Sequence, residues 1–248
     1  MPAVIEETDV TEHIVRAFEE ELKTMDSKIA QMGGLAEQCL ARAIDAMERR
    51  DPALAEATIR QDEMIDRLEQ ELEEMAVSII ARRQPMALDL RQIITCIRVA
   101  SDLERIGDLA KNIAKRAMAV AGEHHPKPLM IGLKHIGDAA LEQLKHVLDA
   151  YSERDAEKAR KVWMNDAQID GIYNSLFREL LTYMMEDPRN IGLCTHLLFG
   201  AKNVERIGDH ATNIAEMVHF MVHGQSIIEQ RPKGDNTSYS MPDAATFS

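Results

Sequence analysis

Apolar residues return every three or four positions from about residue 12 onward. Phe18, Leu22, Met25, Ile29 and Met32 form one row, and Leu35, Cys39, Leu40, Ala43 and Met47 continue it. That spacing is the mark of a long helix with a single buried stripe. Asp51 and Pro52 follow as a helix start, since the carboxylate can cap free amides and proline loses nothing at the first helical position. A second helix turns Ile65, Leu68, Leu72, Met75 and Ile79 inward and Pro85 interrupts it. Ile93, Ile97, Ala100, Leu103, Ile106, Ala110 and Ile113 mark a third helix, after which Gly122, Pro126 and Pro128 break the chain.

The same plan then recurs. Leu141, Leu144 and Leu148 belong to a fourth helix, Asp155 is the cap of a fifth that carries Ile169, Leu176 and Leu180, and Asp187 with Pro188 signals a restart. Leu197, Val204, Ile207, Ile214 and Met221 face inward on the sixth. Residues 224–248, rich in Gly, Ser, Pro and Asp without apolar period, read as a disordered tail.

The recurrence extends to identities. Glu104 to Ala114 reads ERIGDLAKNIA and Glu205 to Ala215 reads ERIGDHATNIA, the same at nine of eleven positions and 101 residues apart. A weaker echo, at an offset of 104, pairs Asp51, Ala55, Asp62, Ile65 and Asp66 with Asp155, Ala159, Asp166, Ile169 and Asp170. Duplication of this kind predicts an all-α fold of two tandem three-helix bundles, over residues 12–121 and 128–223, each running up, down and up.

Composition sharpens this reading. Aromatic residues make up 4% of the 248 and Met reaches 15 copies among many strong helix formers, so strands are not expected. Acids outnumber bases by 42 to 29, for a formal charge of −13, which argues against direct binding of nucleic acid. Cys39, Cys96 and Cys194 lie far apart among apolar helical residues, the pattern of buried thiols in a reducing compartment. No stretch approaches the roughly 18 to 20 apolar residues of a membrane span, and no basic segment followed by an apolar run opens the chain. A cytoplasmic location is expected, with membrane association only through partners.

The candidate chemistry is acidic. Asp62 and Asp66, Glu104 and Asp108, Asp166 and Asp170, and Glu205 and Asp209 each stand four apart, on one face of a helix, where like charges cost a few tenths of a kcal/mol. At about 100° per residue, Glu104 and Asp108 point away from Ile106, Ala110 and Ile113 toward the solvated side, so an ordinary wet face is one account of them. Three observations favour a cation instead. The pairs recur in register, two helices of each bundle carry one, and Asn112 and Asn213 add an oxygen one turn further on. Ligands that offer only oxygen suit Mg, Mn or iron and not zinc.

Other signals are weaker. His219 and His223 lie near a helix end, too far from the acids to join them, and a single Glu216-x-x-His219 lacks the second copy that a di-iron oxidase requires. Arg105 and Arg206 can meet an anion or a neighbouring carboxylate, the latter being commoner. Gly107 and Gly208 interrupt helix interiors at about 1 kcal/mol each, for which close helix approach is the natural reason. No Gly-rich phosphate loop, Ser/His/Asp set or Cys/His pair stands out.

These residues resemble the PhoU family, accessory regulators of phosphate-specific transport. The resemblance rests on the duplicated Glu104-x-x-x-Asp108 and Glu205-x-x-x-Asp209 motifs, on the Asp62/Asp66 and Asp166/Asp170 pairs, and on the run Arg83-Gln84-Pro85-Met86-Ala87-Leu88-Asp89-Leu90-Arg91. It covers residues 12 to about 223. The resemblance implies two three-helix bundles, a homodimer or other homo-oligomer, and metal held at the acidic motifs. It also implies a role as an adaptor between the ATPase of a phosphate ABC transporter and a membrane sensor kinase, keeping phosphate-starvation genes off when phosphate is plentiful. The second repeat departs from the pattern, with Asp187-Pro188-Arg189-Asn190 in place of the Gln-Pro run. Against the adaptor, which is no enzyme, stand a metalloenzyme working at the acids and a helical scaffold whose acidic stripes keep it soluble.

Overall fold

A computed structural model of the chain describes residues 4–122 and 127–229, and the side chains of residues 16–122 and 129–229. Residues 230–248, most of the expected tail, lie outside the described residues. The protein is all-α. The elements are α1 (Val4–Arg49), α2 (Pro52–Arg83) and α3 (Ala87–Val120), then α4 (Lys127–Glu153), α5 (Ala156–Met164), α6 (Asp166–Glu186), a 3-10 turn (Pro188–Asn190) and α7 (Ile191–His223).

The duplicated sequence makes a duplicated corner. Asp51 accepts from the amides of Ala53 and Leu54, both at 3.0 Å, and Asp155 accepts from those of Glu157 and Lys158 at 2.9 and 3.0 Å. Caps of this kind are worth ~1 kcal/mol. The residues before them, Arg50 and Arg154, both take the left-handed conformation, with φ of 56° and 54°, which turns the chain sharply from α1 into α2 and from α4 into α5. The corner between α2 and α3 has no twin. Gln84 closes α2 in the left-handed region and Arg83 ties that end to Glu21 of α1 through two bonds of 3.1 and 3.2 Å. Met86 and Leu88 are exposed beside it.

One correction concerns the fifth helix, which is two. Asn165 ends α5 and begins α6, its amide shared between the carbonyls of Lys161 and Val162, whereas α2 runs unbroken through the matching position, Gln61. Asn is a poorer helix former than Gln, and the break makes Asp166 the first residue of α6. A carboxylate there is stabilised by the unpaired amides of the helix N-terminus.

The repeats share one continuous core. α3 and α7 lie side by side and α1 packs on α4. Both pairs run antiparallel, since Arg98 meets Met217 while Arg116 lies over Phe199, and Tyr151 meets Asp26 while Gly137 faces Ile44. The repeats are thus related by an approximate twofold axis. Cys39, Cys96 and Cys194 are buried and unbridged, as the apolar pattern predicts. Among the described residues no helix is long and apolar enough to cross a membrane.

Candidate functional site

Within each repeat the acidic pairs of two helices face each other along a groove, α2 against α3 in the first and α6 against α7 in the second. Glycine sets the approach. A Cβ at Gly107 would stand 2.8 Å from both Asp62 Oδ1 and Ile65 Cδ1, and one at Gly208 would stand 2.9 Å from Ile169 Cδ1 and 3.1 Å from Gln143 Oε1. The missing side chain lets the α2 carboxylate of Asp62 come close at Gly107, and lets Ile169 of α6 and the Gln143 amide of α4 come close at Gly208.

Glu104 is therefore not on a wet face, which corrects the helical-wheel expectation for it, whereas Asp108 remains 34% exposed. The side chains of Asp62 and Glu205 are 3% and 6% exposed, and Glu104 is 16% exposed. Burial disfavours the charged form. Burial, then the nearby Asp108, pushes the Glu104 carboxyl up to about 7. Burial also raises Asp62, against the pull of Lys111, and raises Glu205, with Asp209 and Asp170 adding to it against Lys202. Through these mutual influences Asp62, Asp66, Glu104 and Asp108 are neighbours in the first groove, with Glu69 beside Glu104, and Asp170, Glu205 and Asp209 are neighbours in the second.

The structure leaves two candidates aside. Asn112 is exposed, and Asn213 donates to Asp102 at 3.3 Å, in the seam between α3 and α7. Each step of four residues turns about 40° around the helix, so two steps carry Asn112 and Asn213 about 80° away from Glu104 and Glu205.

Each groove also holds a lysine, and the two stand in different places. In the first repeat the Lys111 ammonium lies between the helices, bonded to Asp62 and, at 2.6 Å, to Asp108. These bonds hold the lysine protonated, although desolvation opposes them. The matching residue of the second repeat is Thr212, whose hydroxyl lies 2.9 Å from Asp166 Oδ1. There the lysine is Lys202, one turn before the motif, 3.0 Å from Glu205 and over the ring of Tyr173 at 5.0 Å. Sequence reasoning passed over both lysines. Lys111 against Thr212 is one of the two mismatches in the duplicated window, and that was the signal. Among the described residues no three His, Cys, Asp or Glu side chains already close on a single ion position.

The first repeat's Arg105 lies outside, 3.4 Å from Glu104 and 3.7 Å from Asp108, and Arg206 is exposed. His219 and His223 lie against each other at the end of α7, with ring centroids 4.6 Å apart and planes tilted by 53°.

A duplicated three-helix bundle with an acid-lined groove in each half defines a class of tandem helical-bundle proteins. The PhoU domain model matches the chain twice, over residues 29–117 and 133–218. The phosphate-specific transport system accessory protein PhoU homolog of Rhizobium meliloti (strain 1021) is 56% identical over 91% of this chain and 95% of its own length. The homolog of the same description in Caulobacter vibrioides (strain NA1000 / CB15N) is 48% identical over 91% of this chain and 98% of its own. The crystal structure of PhoU from Pseudomonas aeruginosa superposes with a TM-score of 0.80 at 40% identity, covering 84% of this chain and 100% of that one. The phosphate transport system regulatory protein PhoU from Streptococcus pneumoniae superposes at 0.77 with 27% identity, over 85% and 99%. The chain belongs to the PhoU family.

Proposed function

We propose that this protein is a cytoplasmic accessory regulator of a phosphate-specific transport system. It acts by contact with the ATPase of the phosphate ABC transporter and with a membrane sensor kinase, as a homodimer, and represses phosphate-starvation genes when phosphate is abundant. The observation that carries this reading is the 56% identity over 91% of the chain to a phosphate-specific transport system accessory protein. The protein works through binding and not through turnover, and its acids serve no catalytic step. Purified chain is expected to retain the transporter's ATPase subunit and the kinase's cytoplasmic part in a binding assay. Failure to retain either one contradicts the adaptor role.

The two carboxylate grooves are proposed in addition as the places where a hard cation, Mg, Mn or iron, binds through oxygen. The candidate ligands are Asp62, Asp66, Glu104 and Asp108, and Asp166, Asp170, Glu205 and Asp209. Their fit rests on the raised carboxyls of Asp62, Glu104 and Glu205, a state that a bound cation relieves. Bound metal would supply positive charge that holds the two facing helices together. Added Mn is expected to raise the melting temperature and a chelator to reverse the gain.

A further inference from the structure

The repeats also differ on the face where the first and second helices of each meet. In the first repeat side chains bridge that face. Arg42 Nη1 donates to Gln61 Oε1 at 2.6 Å, Gln61 is bonded in turn to Gln38, and Leu35 packs against the core. At the matched positions of the second repeat, 104 residues on, Arg42 gives way to His146, Gln61 to Asn165 and Leu35 to Ala139. Each replacement is shorter, and Asn165 is also where the helix breaks. What remains between α4, α5 and α6 is a cleft of about 420 Å³, within the size range of small-molecule sites.

The walls of the cleft are chemically unlike. α4 contributes Glu142 and Asp149, which at seven residues apart share one helical face. Lys161 lines the cleft from α5. Lys158 beside it is held by Glu153. Among the described residues, however, the side chains of Glu142, Asp149 and Lys161 make no hydrogen bond or ion pair, so acid and base share one cavity without closing on each other. Asn165 and Gln168 add amides, which both donate and accept as a peptide bond does. Beneath them Ala139, Val162 and Ile169 form an apolar floor. A simple anion would meet two carboxylates, and a simple cation would leave Lys161 unmatched. A ligand with a positive charge at one end and a negative charge at the other satisfies both walls.

We infer that this cleft binds a short peptide in its zwitterionic form, with its ammonium on Glu142 and Asp149, its carboxylate on Lys161, its peptide bond on the two amides and an apolar side chain on the floor. The site lies apart from the carboxylate grooves and does not rest on metal. Dileucine is the probe, titrated by calorimetry into the full chain with chelator present, beside its N-acetylated, C-amidated form. Dileucine is expected to bind wild type, and the blocked form to bind at least about tenfold more weakly for want of its charge-assisted hydrogen bonds. Glu142→Gln and Lys161→Met, both at exposed positions, are each expected to weaken dileucine by about the same factor. Ala139→Leu, which installs the first repeat's residue on the floor, is expected to abolish most of the binding. If Ala139→Leu does not fold, the two exposed variants decide the question. The inference is overturned if dileucine does not bind, if the blocked form binds as tightly, or if both exposed variants bind as wild type does.

Discussion

His210 Nδ1 of α7 lies 2.8 Å from Asp102 Oδ1 of α3, which joins the second repeat to the first. His210 stands where the first repeat has Leu109, the other mismatch in the duplicated window, so this contact breaks the approximate twofold. Both side chains are mostly buried, at 20% and 16% exposure. A double-mutant cycle of Asp102→Ala and His210→Ala, read by urea unfolding, is expected to return a coupling of about 0.5–3 kcal/mol. Additive single changes would mean that the pair contributes nothing to holding the repeats together.

Gly107→Ala sets helix propensity against packing. Alanine gains about 1 kcal/mol as a helix former, but its Cβ would meet Asp62 and Ile65 at 2.8 Å. Overpacking of this kind costs about 1–3 kcal/mol, so the variant is expected to be less stable than wild type by denaturant melting. Gly171 on α6 is the control, with nothing within 4 Å of its missing Cβ. There alanine is expected to stabilise by about 0.5–1 kcal/mol. A stabilised Gly107→Ala would show that the facing helix gives way.

The Glu21 and Arg83 pair, which ties the α2 end to α1, sets a pH dependence. Hydrogen bonding to Arg83 holds the Glu21 carboxyl below its ordinary value of 4.5, against desolvation, with the Arg83 charge assisting. A lowered folded pKa gives stability that is present above the unfolded value and lost as the pH falls through the folded one. Glu21→Gln is therefore expected to melt lower than wild type at pH 7, by on the order of 1 kcal/mol, and the two curves are expected to converge in acid below the carboxyl range. A difference that persists unchanged at pH 3 would assign the loss to packing.

Much of this was legible in one sequence. Each helix carries a single apolar stripe, and the copies of Asp51 and Asp155 cap the same corner. Gly107 and Gly208 announced close approach because a helix interior tolerates glycine only for a reason of that kind. The depth of the acids was not legible. A wheel drawn for α3 puts Glu104 outside its apolar row, but the wall that buries it belongs to α2, and one helix does not reveal its neighbour. The same limit hid Lys111, which lies on α3 and is defined by Asp62 across the groove. The break at Asn165 was hidden because its counterpart in α2 is continuous and the apolar period runs through both.

The proposed role of the protein is to restrain the phosphate-starvation response. A strain lacking the gene, carrying a reporter of a phosphate-starvation promoter and grown in phosphate-rich medium, tests it most directly. The reporter is expected to switch on in the deletion strain and to fall silent again when the gene is restored. A reporter that stays silent without the gene would contradict the account.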